Sequence, residues 1–299
     1  MSQDSPWPPL PLAAWQDTYD TLHMWLQIAG KIRMRLSPHV NHWWEVPLYV
    51  TARGLTTSPM PHGTRTFALT FDFVDHLLRI DVSDGRTDAR PLAPMTVADF
   101  YRDLMARLDR LGLPVAVNTL PCEVPSPIRF TEDRTHAAYD AAAAANCWRV
   151  FVQVDRVFKQ FRARFIGKVS PVHLFWGSFD LAVTRFNGRR APEREWPQLP
   201  AVMRDAYSHE VISAGFWPGG GGVDEPAFYA YAVPEPDGFR DAPVLPDGAR
   251  YVPELGEFIL PYDRVRTAAS PDAVLLDFLQ STYAAAADLG RWDRRALEW

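Results

Sequence analysis

The chain has 299 residues, of which 47% are hydrophobic and 22% charged, so it holds enough apolar material for a sizeable buried core and falls outside the disordered and fibrous classes. A formal net charge of −5 gives no basic excess for a nucleic-acid partner, and no window approaches the ~18 apolar residues of a membrane span. The polar, proline-rich start has no secretory pattern, and Cys122 and Cys147 are too few for a disulfide framework; a soluble, cytoplasmic protein with two reduced thiols is the expectation.

In chain order, Trp15, Tyr19, Leu22, Leu26 and Ala29 recur at helical spacing and predict a helix over 12–36. Gln16, Asp20, His23, Gln27 and Lys31 form its polar stripe, and Ser37-Pro38 ends it, because proline has no amide proton to continue the ladder. Residues 46–53 alternate as a strand, with Tyr49, Thr51 and Arg53 on one face and Leu48 and Val50 on the other. A hairpin follows over 66–73 and 76–82, then a helix over 97–111 capped by Thr96.

The span 113–133 reads as a strand followed by Pro121, Pro125 and Pro127, which marks the boundary between two halves. Ala141–Ala145 opens a long helix to about Ile166 whose apolar stripe includes Phe151, Phe158, Phe161 and Phe165. Strands at 179–186, 228–233 and 257–260 precede a closing helix over 272–289, capped by Ser270 with Pro271 at its first position.

Residues 37–59 align without gaps on 170–192, with seven identities that include Trp43 with Trp176 and Leu48 with Leu181. The expected fold is therefore α+β, with two sequence-related halves, each helix, antiparallel strands, helix, packed around a pseudo-twofold axis. Residues 1–120 form the first half, 121–140 a proline-rich linker, and 141–299 the second half with an insertion at about 188–226. A cleft between halves is the expected site, lined by Trp43, Glu45, Tyr49, Thr51 and Arg53 from one and Trp176, Ser178, Asp180 and Thr184 from the other. The competing reading of these polar faces is plain solvent exposure.

Titratable side chains gather near the same segments. His209 is a candidate general acid or base, oriented by Glu210 or Asp180, and His173 joins them as a catalytic candidate. His39 and His42 with His173, His209 or Glu210 offer nitrogen and oxygen donors to a metal, although no HExxH, HxH or CxxC spacing accompanies them; metal and cofactor stay undetermined. Trp43, Tyr49, Arg53, Trp176, Ser178 and Trp217 are candidate ligand contacts, an aromatic wall with Arg53 or Arg185 as anchor for a carboxylate. The glycine run 219–222 reads either as a lid or as a surface loop.

The absence of GxSxG, P-loop and GxGxxG patterns argues against standard hydrolase and nucleotide machinery. Three classes remain open: a small-molecule enzyme using His, Glu and Asp acid–base or metal chemistry, a non-catalytic small-molecule binder, and a scaffold with exposed aromatics. The segments Asn41-His42-Trp43-Trp44, 46–51, 54–59, 170–189 and 208–219 resemble those of a bacterial family of unknown function whose members have about this length. The resemblance spans nearly the whole chain and implies no activity, cofactor or site residue.

Overall fold

Gln16–Leu36 forms helix α1, and here the chain departs from its own amphipathic pattern: His23, Gln27 and Lys31 on the polar stripe are buried together with the apolar stripe. The computed structural model describes residues 5–192, 201–220 and 223–299, and within these α1 runs through the interior. Its polar side chains are kept because they bond irregular backbone that has no ladder partners of its own. His23 Nε2 donates to the carbonyls of Trp176 and Gly177 at 3.0 and 2.9 Å, and the Gln27 side-chain amide bonds both N and O of Cys122 at 3.0 and 2.8 Å. Burial holds His23 neutral, its pKa pushed down to about 4.

After α1 come strands β1 (Tyr49–Val50), β2 (Gly54–Thr56), β3 (Met60–His62), β4 (Arg65–Asp72), β5 (Leu77–Val82) and β6 (Thr87–Pro91). They form an antiparallel sheet in the order β1-β2-β4-β5-β6, with β3 also on β4. The continuous strand expected over 46–53 is broken at Thr51. The Thr51 hydroxyl accepts from the amides of Arg53 and Gly54, which turns the chain so that Val50 pairs with Leu55. On β4, Phe67, Leu69 and Phe71 alternate into the core as a half-buried strand requires. Helix α2 (Val97–Arg110) starts at Thr96, whose side chain accepts from the Asp99 amide as expected.

No strand occurs in 113–133; the chain is irregular there and leads to Asp140, whose carboxylate caps α3 (Ala141–Ala163) through the Ala143 amide. Then follow β7 (His173–Phe175), β8 (Asp180–Arg190), α4 (Ala201–Ala206), β9 (His209–Trp217), β10 (Ala227–Val233), β11 (Arg250–Val252), β12 (Glu257–Pro261), α5 (Tyr262–Arg266), α6 (Pro271–Leu289) and α7 (Arg294–Leu297). The second sheet is antiparallel throughout in the order β11-β12-β10-β9-β8-β7. Pro271 opens α6 as expected, but Ser270 makes no side-chain cap bond.

The fold is thus α+β, two antiparallel sheets with helices packed on them. One core runs through both: Trp25 stacks on Phe100 at 4.6 Å on the α1 and α2 side, and Phe151, Phe158 and Phe161 of α3 meet the second sheet, each worth about 1.5–3 kcal/mol of burial. The sheets meet edge to edge, where Leu48 and Leu174 exchange two backbone hydrogen bonds of 2.9 Å. None of the described helices is long and apolar enough to cross a membrane.

Candidate functional site

Strand parity sorts the second sheet into two faces. Leu181, Val183, Phe216, Ala214, Phe228, Ala230, Phe258 and Leu260 enter the core shared with α3 and α6. The registers Asp180 to Trp217, Ala182 to Gly215 to Tyr229 to Ile259, and Thr184 to Ser213 to Tyr231 place these residues, with Glu257 beyond Tyr231, on the opposite face. There Trp217, Ala227, Tyr229 and Ile259 make a separate apolar cluster, with ring centroids of Trp217 and Tyr229 4.2 Å apart.

Asp180 is the centre of this outer face. Its carboxylate accepts from the Ser178 hydroxyl on one oxygen and the Tyr229 hydroxyl on the other, and it is almost fully buried. Desolvation raises its pKa to about 6; the Ser178 and Tyr229 bonds oppose the rise, and the charge of Glu123 adds to it. Glu257, also desolvated and facing the charge of Asp180, is raised to about 8, and its buried Oε2 has no hydrogen-bond partner among the described residues. Glu123 is raised by burial, partly relieved by Ser178. Three carboxyl groups thus share one field, with Tyr229 and Tyr231 stacked at 6.0 Å and Tyr231 bonded through its hydroxyl to Tyr207 at 2.9 Å.

Gly215 makes this possible, since a β-carbon there would overlap the ring of Tyr229 that lies across the strand towards Asp180. Gly215→Ala is expected to lift Tyr229 off Asp180 and cost about 1–3 kcal/mol, read by urea unfolding together with near-UV circular dichroism. An unchanged unfolding midpoint would show that Tyr229 has room to move.

The candidates from sequence divide into separate places. Asp180, Ser178 and Trp217 converge on the outer face. His173 lies on the same face at its edge, where it packs on Tyr49 and Trp44 with ring centroids 5.6 and 5.9 Å away. His209 stands apart beside His42, at 5.6 Å, and Lys168, which donates to His42 Nε2 at 2.7 Å. Burial and then the Lys168 charge push the pKa of His209 and of His42 down.

Glu210 does not orient His209. Its carboxylate takes the side chains of Asn187 and Arg189, and Arg189 also donates to the carbonyls of Gly290 and Arg291, a tie between β9 and the end of α6. A cavity of about 90 Å³ opens beside that tie, away from Asp180. The cationic anchors expected for an aromatic wall are also placed elsewhere. Arg53 pairs with Asp72 and Asp75 at the surface, and Arg185 is fully buried on the inner face over Phe161.

Trp176 is a buried structural residue, its indole bonded to the Val46 carbonyl at 2.9 Å, and Trp43 packs on His39 at 4.9 Å. The described residues contain no group of three or more His, Cys, Asp or Glu side chains placed to hold a metal ion. Residues 221–222 of the glycine run and 193–200 of the expected insertion lie outside the described residues.

Glu123, Tyr229, Tyr231 and Glu257 were not among the sequence candidates. The alternation of Tyr229 and Tyr231 with Phe228 and Ala230, and of Glu257 with Phe258, carried the signal for three of them. Glu123 had none, because its position depends on Gln27 gripping the neighbouring Cys122.

An α+β protein with a carboxyl and tyrosine cluster on one sheet face is the class these features define. The chain belongs to the family of unknown function DUF5996, whose family model matches residues 7–299. No curated protein and no solved structure matches it.

Proposed function

We propose that the protein is a small-molecule enzyme that works by general acid–base chemistry on the outer face of the second sheet. The observation that carries this reading is a pair of carboxyl groups on one sheet face whose environments push their pKa values apart, to about 6 at Asp180 and about 8 at Glu257. At neutral pH Asp180 is mainly the carboxylate and serves as base, while Glu257 is mainly the acid and holds a proton to give. The Ser178 and Tyr229 hydroxyls fix Asp180 and stabilise its negative charge, and the tilted Trp217–Tyr229 pair supplies an apolar wall for a small, neutral hydroxy or oxo compound.

The two units, α1 to α2 and α3 to α6, each run helix, antiparallel strands, helix, which supports reading them as copies of one ancestral unit about a pseudo-twofold axis. Cys122 and Cys147 are both free thiols, which suits a reducing cytoplasm.

The test is a thermal-shift screen of small hydroxy and oxo compounds, followed by mass spectrometry of the stabilising ones after incubation with the protein in D2O. Wild type is expected to exchange or convert a bound compound, and Asp180→Asn and Glu257→Gln each to slow this about 100-fold or more with little change in KM. Unchanged rates in either variant would remove these two groups from the chemistry. Binding by wild type without exchange or conversion would make the protein a binder rather than an enzyme.

A further inference from the structure

Where the two sheets meet, the structure buries side-chain nitrogens that have no hydrogen-bond partner among the described residues. Arg33, in the last turn of α1, is only 7% exposed, and its Nε and Nη1 have no partner among the described residues. His173, on the edge strand β7, is 1% exposed, and neither of its ring nitrogens has a partner. Both side chains flank the ring of Tyr49: the Arg33 guanidinium carbon lies 5.6 Å from its centroid and the His173 ring centroid 5.6 Å.

Leaving a buried polar group unpaired costs about 1–3 kcal/mol, and more when the group is charged, so these four nitrogens, three of them donors and one the acceptor of a neutral imidazole, are a large standing cost around one ring. The acid whose charge reaches Arg33 does not relieve it. Glu45 acts on Arg33 through its charge, but its two oxygens are taken by His39 Nδ1 and the Val40 amide, each at 3.0 Å. Arg162 adds a second guanidinium whose charge reaches His173. Two guanidinium cations against one carboxylate leave room for one more negative charge.

We propose that Arg33 and His173 form an oxyanion-binding subsite that takes the carboxylate or phosphate group of a small ligand. Arg33 offers Nε–H and Nη1–H, charged donors on two different edges of the planar guanidinium, either of which meets an oxyanion oxygen, and His173 donates from a ring nitrogen. Arg33 and Tyr49 come from the N-terminal part of the chain and His173 from the second sheet, so the subsite is complete only at the Leu48–Leu174 junction. This assignment stands independently of any acid–base work by Asp180 and Glu257.

The experiment is a thermal-shift titration of the full chain with inorganic phosphate and with acetate, against chloride at matched ionic strength. It is run on wild type, Arg33→Gln, Arg33→Lys and His173→Gln, with folding checked by circular dichroism. Wild type is expected to gain stability with phosphate or acetate beyond chloride, and the Gln variants to need about tenfold more anion or greater for the same gain. Arg33→Lys, which keeps the charge and loses the planar set of guanidinium donors, is expected to fall between. A response to phosphate alone assigns a phosphate group, and one to acetate alone a carboxylate.

Should a variant fail to fold, nitrogen-15 NMR of wild type decides: the Arg33 Nε–H and His173 ring signals move on titration with the effective anion. Stationary signals, or no gain over chloride with either anion, would overturn the subsite.

Discussion

Arg185→Ala is expected to destabilise the protein by about 3–5 kcal/mol, the loss that follows when a large, fully buried side chain is truncated and leaves a cavity in a packed core. Arg185 sits on the inner face of β8 with no exposed surface, its guanidinium carbon 3.5 Å from the ring centroid of Phe161 and 4.1 Å from that of Tyr283. Its Nη2 donates to the Phe161 carbonyl at 2.5 Å, while Nε and Nη1 have no partner among the described residues. Desolvation lowers its pKa to about 10, so the cation persists at neutral pH at a cost that three aromatic faces only partly return. Arg185→Met, which keeps the volume and drops the charge, is expected to lose about 1–2 kcal/mol at most. Urea unfolding of both variants separates the two contributions: equal losses would mean that the charge, not the packing, holds this position.

The contribution of the two carboxyl groups assigned to acid–base work is expected to fall as pH rises between about 4 and 8, opposed up to about pH 6.5 by buried His23 and His173, whose lowered pKa values favour the native chain as they deprotonate in the unfolded one. A carboxyl whose pKa is raised on folding binds more protons in the native than in the unfolded chain, so its contribution is whole below the unfolded pKa and disappears as pH passes the folded one. For Asp180 that window runs from 3.8 to about 6, and for Glu257 from 4.5 to about 8. Glu257→Gln removes the upper window and is expected to be about 1–3 kcal/mol more stable than wild type above pH 8, with no gain at pH 4. Asp72 works in the opposite sense. Arg53, Arg79 and the amides of Val74 and Asp75 outweigh its burial and hold its pKa at about 2, a contribution that is lost as pH falls from 3.8 through that value. Unfolding midpoints measured across pH 3 to 9 check this, and a Glu257→Gln curve parallel to wild type would contradict the environment assigned to Glu257.

The long helices and the β4–β5 hairpin were legible because each carries its own period over many residues: the stripe through Phe151, Phe158 and Phe161 is local information. What stayed hidden was set by contacts between distant residues. Nothing local says that the polar stripe of α1 faces backbone rather than water, yet that burial ties Cys122 and brings Glu123 to Ser178. Asp180, Ser178 and Trp217 were found because parity and aromatic content mark them, whereas pairing His209 with Glu210 ignored that neighbours on a strand point to opposite faces. The break at Thr51 was equally invisible to alternation, because a hydroxyl that turns the chain sits in a position where any β-branched residue fits the strand pattern.

The junction at Leu48 and Leu174 also bears on how this chain avoids self-association. Each sheet there hides from its surroundings a strand border whose free amides and carbonyls would otherwise template pairing with another molecule. The protection is mutual, since either sheet is the cap of the other. Cutting the chain between α2 and α3 would therefore release two pieces with bare borders, which would re-pair with each other or aggregate instead of persisting as soluble units.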